Sequence, residues 1–414
     1  MKNRSVPAAC DSERPDDRGD CLVDSHFQRE SVDRGQVRDR ANIVRVTSMA
    51  LLFSLILSWR AYIPNLRIFE MSPVIELLGA TPVWADWALL ILNIGCAGWL
   101  LIKPLQPVPA YGLFACTVFW VLQDLLRFQP YTYMYVFTIL LAVFFTSHAI
   151  NALKIMVASV YVWAGVHKIN ATFFVDLFPG LIEPFYKFPK EPSLLAALIA
   201  LAIFTVPLFE AGIGLLLLFF PRQRRLTILM AFIMLVVVLI CLGLDGDTWN
   251  LIVWPWNIYL FLLVFMLLSK SPAVDNKVRF GFDTATLATI ALFSIAPALA
   301  LFGWGHSYPS FKLYSGNTKR AEVIFSEHET LTGLPNNLGQ LVGRARRLPL
   351  VDWTAQEFEL VVYPETYVFR RGAKGLCPYL SDGQRAILRI YDQPVFNRID
   401  LTYQDFPLCT AESN

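Results

Sequence analysis

The chain has 414 residues, of which 55% are hydrophobic and only 16% charged. Soluble domains carry about 25% charged residues, so most of this chain is not built to face water. A net charge of +2, with no broad basic face, leaves no electrostatic footprint for nucleic acid. Seven Cys without a CxxC pair and five scattered His offer no zinc site of familiar spacing, so no metal is expected.

Residues 1–42 are polar and mix both charge signs, as in Asp11, Arg14, Asp16, Asp17 and Arg18. Such a composition cannot bury enough apolar surface to order itself, which predicts a disordered cytoplasmic tail. No short basic region leads directly into an apolar run, so the tail is not a secretory signal.

Apolar stretches then follow at 43–60, 83–103, 108–127, 131–149, 150–169, 194–220, 225–245, 250–269 and 283–303. Each is about the 17–25 residues needed to cross a bilayer. The expected fold class is an all-α polytopic membrane bundle of about nine transmembrane helices over 43–303, with a small α+β extramembrane domain over 304–414. The connections at Gln129-Pro130 and His148 are very short, and counts of eight or ten also fit.

With the N-terminus inside, the inner loops carry Arg38, Arg40, Arg45, Lys103, Lys154, Arg222, Arg224, Arg225, Lys270, Lys277 and Arg279. The outer loops carry chiefly Arg67, Lys168, Lys187 and Lys190. This bias predicts a multi-pass cell-membrane protein with a cytoplasmic N-terminus and the C-terminal domain on the outer face. The bilayer is its first partner.

Within the C-terminal domain, alternating patterns at 320–326, 359–364 and 386–391 predict strands. The segments 336–347 and 352–358 read as helical. On an oxidising face Cys377 and Cys409 could pair; two unpaired thiols are the other reading.

Ionisable residues inside membrane helices cost about 2.5–3.5 kcal/mol each, which singles out four groups. In the fifth stretch Tyr161, Gly165 and Lys168 share one helical face, and Trp163, His167 and Asn170 share another. A lysine against an apolar wall can serve as a base; an interfacial lysine reaching for head groups has the same pattern. Asp124 and Arg127, at i and i+3, either neutralise each other at a helix end or line a polar cavity with Gln129, Tyr131, Tyr133 and Tyr135.

Glu210 is mid-membrane behind Pro207, with Gly212 and Gly214 allowing a neighbouring helix to approach. It is either protonated or paired with a cation from another helix, and a structural bond and a proton-handling role are both open. Last comes the acidic turn Asp245-Gly246-Asp247-Thr248-Trp249-Asn250, a solvated turn or a cation site, followed by Pro255, whose freed backbone Asn257 could satisfy.

The run Tyr161-x-x-Ala164-Gly165-Val166-x-Lys168-Ile169-Asn170 resembles the segment Y-x-x-A-G-x-K-K-L-D of vitamin K-dependent gamma-carboxylase and its HTTM-type bacterial relatives. The chain is more loosely similar to DoxX-like membrane proteins. The resemblance covers about 43–300 and implies a quinone-like, vitamin K-type hydroquinone or lipid ligand, with Lys168 as the base of hydroquinone oxygenation. His167 and Asn170 replace the family's Lys and Asp. The stretch Arg127-Phe128-Gln129-Pro130-Tyr131 has no His where the carboxylase has an Asn-His pair, and the C-terminal domain is far shorter.

Three functions are open: a membrane-embedded enzyme with Lys168 as base and Asp124, Arg127 and Glu210 shaping its cavity; a non-catalytic component of a redox or assembly complex; and a transporter. The last is disfavoured because no repeat or pair of broken helices divides the chain into halves. No protein partner is specified by the sequence.

Overall fold

The computed structural model describes residues 17–181, 192–242, 251–269, 278–326, 333–342, 346–380, 386–392 and 402–409. The acidic turn 245–250, the first 16 residues, and Lys187, Lys190, Lys270 and Lys277 lie outside the described residues.

Helices occupy every apolar stretch. They are α1 (Asp17–Leu57), α2 (Val83–Ile102), α3 (Pro107–Gln123), α4 (Pro130–Phe144), α5 (Ala149–His167), α6 (Pro192–Phe219), α7 (Arg224–Cys241), α8 (Val253–Ser269) and α9 (Thr284–Ile290). Beyond Ile290, α9 continues through a π turn at Ala291–Ile295 and ends in a 3-10 turn at Ala300–Phe302. Pro107 and Pro130 open α3 and α4, where a fixed φ helps and a missing N–H costs nothing. Asp283 caps α9 by accepting the Thr286 amide at 2.9 Å.

Among the described residues, five segments are long and apolar enough to cross a bilayer: Arg34–Leu57, Val83–Ile102, Ala149–His167, Pro221–Cys241 and Thr284–Phe302. The other apolar helices are shorter there. The chain is therefore a mostly helical protein of membrane type.

Helix α1 begins at Asp17, inside the segment that composition assigns to a disordered tail. Extending a helix already nucleated by its apolar half costs far less than starting one. At 1.5 Å per residue, 41 residues span about 62 Å, twice the hydrocarbon core.

Protein buries 67% of the apolar window of α5 but 11% of that of α7. So α5 is an interior helix, while α7 presents Leu226, Leu229, Phe232 and Ile233 outward, as lipid contact requires. Helix α4 is interior as well: Tyr135 meets Tyr259 of α8 edge-on at 5.0 Å, and the Thr138 and Tyr259 hydroxyls are 2.7 Å apart.

The C-terminal region holds a four-stranded antiparallel sheet in the order β2-β1-β3-β4. Its strands are β1 (Arg320–Phe325), β2 (Arg347–Pro349), β3 (Ala386–Asp392) and β4 (Thr402–Pro407). Three helices accompany it, α10 (Asn336–Val342), α11 (Leu350–Phe358) and α12 (Thr366–Ala373). Strand β1 alternates outward and inward and pairs with β3 from Arg320–Tyr391 to Phe325–Ala386.

The predicted strand at 359–364 does not form. Glu359 turns left-handed at φ 59° to end α11, and among the described residues no strand pairs with the segment beyond it. Side chains satisfy this backbone instead: the Tyr308 hydroxyl donates to the Val362 carbonyl at 2.8 Å, and Gln129 Nε2 to that of Val361 at 3.2 Å. Helix α10 is shorter than its predicted range, because Arg347 belongs to β2.

The loop between α1 and α2 fastens this region to the helices. Glu357 accepts from the amides of Ile68 and Phe69 and from Trp353 Nε1, the last at 2.6 Å. A Cβ at Gly372 would collide with the Phe69 ring, and one at Gly375 with the Ile68 carbonyl oxygen. Only glycine permits so close an approach. Cys377 and Cys409 form a disulfide.

Candidate functional site

The site grows from the crossing of α5 and α6. A Cβ at Gly165 would strike the Pro207 carbonyl oxygen and come within 2.6 Å of the Ala211 nitrogen. One at Gly214 would strike the Ala158 carbonyl and reach 2.7 Å from Val162 Cγ2. The two backbones thus touch through glycine on either side of Glu210. Gly212, the other glycine of the predicted contact, instead faces Met230 on α7.

This crossing delivers Glu210 to Lys168. Lys168 Nζ donates to Glu210 Oε2 at 2.6 Å and to the Ala164 carbonyl at 3.2 Å. Both side chains are about 10% exposed. Of the readings open for Glu210, partnership with a cation from another helix is the one observed. A buried charge with no partner is very costly, and pairing offsets most of that cost. Tyr161, buried one turn before Gly165, is close enough to Glu210 to feel its charge.

His167 lies next to the pair, 1% exposed, with its ring 5.8 Å from that of Trp163. Neither ring nitrogen makes a well-formed hydrogen bond, although the carbonyls of Pro297 and Ser310 face it. Asn170 closes the helix end. Its Nδ2 donates to the His167 carbonyl at 2.7 Å and the Ser315 carbonyl at 2.6 Å, and its Oδ1 accepts the Phe173 amide.

Ser315 belongs to a strap, residues 307–317, laid across the ends of α5 and α9. The strap is held in an uncommon shape. Phe311 and Tyr314 have φ of 60° and 53°, a region bulky side chains avoid, and Gly316 at 76° abuts the Phe173 backbone. It carries Lys312, 6% exposed, whose Nζ donates to the Ala300 carbonyl at 3.0 Å. Burial lowers the Lys312 pKa, and Glu365 opposes that shift.

Sequence reading passes over Lys312 because it lies outside every apolar stretch. The available signal is its setting between Tyr308, Phe311 and Leu313, all buried.

Asp124 and Arg127 belong to a different construction. Asp124 pairs most closely with Arg67, at 2.5 Å, and stands 3.8 Å from Arg127. Its Oδ1 accepts the amides of Ser72 and Leu126. Arg127 donates to Gln123 Oε1 and to the carbonyls of Ala61 and Tyr62, and its guanidinium lies 5.5 Å from the Tyr62 ring centre. Gln123 in turn donates to Asp86 at 2.6 Å, a buried acid of α2 that the sequence reading missed.

The remaining predicted residues are also occupied. Gln129 donates to two carbonyls, Tyr133 to the Pro309 carbonyl at 3.2 Å, and Asn257 to that of Val253 at 2.8 Å within its own helix. Thus Tyr161, His167, Lys168 and Glu210 come together. Asp124 and Arg127 sit at the α1–α2 loop, Gln129 joins Leu126 to the C-terminal segment at Val361, Tyr133 reaches the strap, and Asn257 stays within α8.

No family model, no curated protein and no solved structure matches the chain.

Proposed function

We propose that the protein is a multi-pass membrane protein whose Lys168–Glu210 pair forms the centre of a site for a quinone-like or lipid ligand. The observation that carries this reading is a buried ion pair closed between two glycine-seamed helices, beside a His with no well-formed hydrogen bond. Three proton-carrying groups stand together there, two of them, His167 and Lys168, on the α5 motif that resembles the HTTM and gamma-carboxylase segment.

In the paired state Lys168 holds its proton against Glu210 and is not free to act as a base. Transfer of that proton to Glu210 leaves a neutral amine and a neutral acid. The amine then accepts the proton of an acidic ligand hydroxyl, and the net movement is one proton from ligand to Glu210. In this reading His167 orients the ligand oxygen.

In this proposal the membrane body crosses nine times, the N-terminus is cytoplasmic and the C-terminal region is on the outer face. The Cys377–Cys409 disulfide supports that orientation, since such bonds persist in oxidising compartments.

The test is extraction and mass spectrometry of lipids from the detergent-purified protein. A stoichiometric quinone or lipid that is lost on Lys168→Gln/Glu210→Gln, a pair that keeps a hydrogen bond without charge, supports the reading. Equal retention by both forms, or no such ligand, refutes it. A non-catalytic membrane component is the second reading, favoured by the interior bonding of Asp124, Arg127 and Asn257. Refutation of the ligand site would leave that reading standing.

A further inference from the structure

The strap carries an observation independent of the Lys168–Glu210 pair. Lys312 is buried, yet among the described residues no carboxylate lies within ion-pairing distance of it. Its one side-chain hydrogen bond is to the Ala300 carbonyl, so two of its three donors remain unused.

Asn317, 5% exposed, has an Nδ2 with no partner, while its Oδ1 accepts from Ser315 Oγ at 2.5 Å. That same Ser315 Oγ is 2.6 Å from the Lys312 carbonyl, which ties Lys312 and Asn317 into one turn. His167, at the end of α5, lies near enough to feel the Lys312 charge; its ring nitrogens lack a well-formed bond, although the carbonyls of Pro297 and Ser310 face it.

Unused donors therefore lie along this buried strap and the adjoining end of α5, one of them on a lysine that Glu365 influences only from beyond ion-pairing distance. Buried polar groups are ordinarily satisfied, and a buried cation ordinarily has an anion. A second cation would be repelled by the lysine, and the carbonyls of Ala300, Pro297 and Ser310 already face donors of the protein. An oxyanion would find the lysine, the amide and an imidazole N–H.

We propose that Lys312, Asn317 and His167 form a binding site for an oxyanion, where the strap meets the ends of α5 and α9. The group bound is a carboxylate or phosphate, either free or as the headgroup of an anionic lipid. The strained strap backbone is consistent with this: left-handed φ at Phe311 and Tyr314 holds Lys312 inward when solvent would otherwise claim it.

Thermal unfolding of the full chain, purified in neutral detergent at fixed ionic strength, tests the proposal. Inorganic phosphate, acetate and micelles doped with phosphatidylglycerol or phosphatidylcholine are titrated separately. A ligand bound only by the folded state raises Tm saturably. The expected result is such a rise with at least one of the anions and none with phosphatidylcholine.

A response to phosphate or acetate identifies a small-anion site, and one confined to phosphatidylglycerol a lipid headgroup site. Lys312→Gln should weaken the apparent affinity about tenfold or more, as loss of a charge-assisted bond implies. Should that variant fail to fold, Asn317→Asp supplies the negative charge internally and is expected to remove the anion response while keeping the fold. Absence of any saturable rise overturns the proposal, as does an undiminished response in Asn317→Asp.

Discussion

Around Asp124 both carboxylate oxygens are engaged and all three Arg127 nitrogens have acceptors, so the charges are spent on holding α3 to the α1–α2 loop. Around Lys168 the ion pair is equally short, but its neighbours His167, Lys312 and Asn317 keep donors or acceptors in reserve. Both systems bury charge in the same protein body. The first reads as scaffold, with Arg67 Nε and Ser72 Oγ its unpartnered atoms. In the second, both ring nitrogens of His167 lack a well-formed bond beside the ion pair. Charge burial alone does not separate the two; what the neighbouring groups bond to does.

The largest expected effect comes from breaking the Asp124 system. Asp124→Ala strands Arg67 and Arg127 together in the interior and should cost about 3–5 kcal/mol, as removal of one partner from a buried pair does. Loss of folded yield, or a Tm lowered by many degrees in detergent, would be the measurement; an unchanged Tm would show that the network is dispensable.

The Lys168 system should behave differently. Lys168→Met alone leaves Glu210 unpaired and is expected to cost about 3 kcal/mol, whereas Lys168→Met/Glu210→Leu should recover most of that loss. A double-mutant cycle on Tm tests this, and absence of recovery would mean the pair is braced by more than itself.

Gly165→Ala probes the seam between α5 and α6. The added methyl must push the Pro207 carbonyl away, for about 1–3 kcal/mol of overpacking. The same substitution should lower the coupling measured in the Lys168–Glu210 cycle without touching that of Arg67 and Asp124.

The smallest effect concerns Glu357, which anchors the amides beside Arg67. Burial raises its pKa, against the lowering pull of those amides, Trp353 and Arg67. For an acid whose folded-state pKa is raised, the associated stability is full below its unfolded value of about 4.3 and is lost as pH rises through the folded value. Stability measured from pH 4 to 8 should therefore decline more steeply in the native chain than in Glu357→Gln; parallel curves would refute the assignment.

Sequence pattern carries the helices well, because a run of apolar residues has few other uses, and each such stretch is helical where described. It also narrows Glu210 to protonation or a cation from another helix. It cannot say which cation, since Lys168 is 42 residues away and the pairing depends on how Gly165 and Gly214 let two helices meet. Asp124 shows the converse: its neighbour Arg127 is the obvious partner at i+3, yet Arg67, 57 residues distant, takes the shorter bond.

The strand expected at 359–364 fails for a related reason. Alternation signals a half-buried extended segment but not what satisfies its backbone, and here side chains of Gln129 and Tyr308 do so. Lys312 is passed over because the strap lies outside every apolar stretch, and its one trace is the apolar company of Tyr308, Phe311 and Leu313.

The clamp of Ile68 and Phe69 onto Glu357 has a consequence for biosynthesis. The amides and their acceptor are 289 and 288 residues apart. At about 5–20 residues per second, the loop after α1 leaves the ribosome roughly 15 to 60 s before Glu357 exists. Over that interval the α1–α2 loop has no Glu357 to fasten it. A segment made later thus closes a joint laid down by α1 and α2, and a product truncated before Glu357 would leave it open.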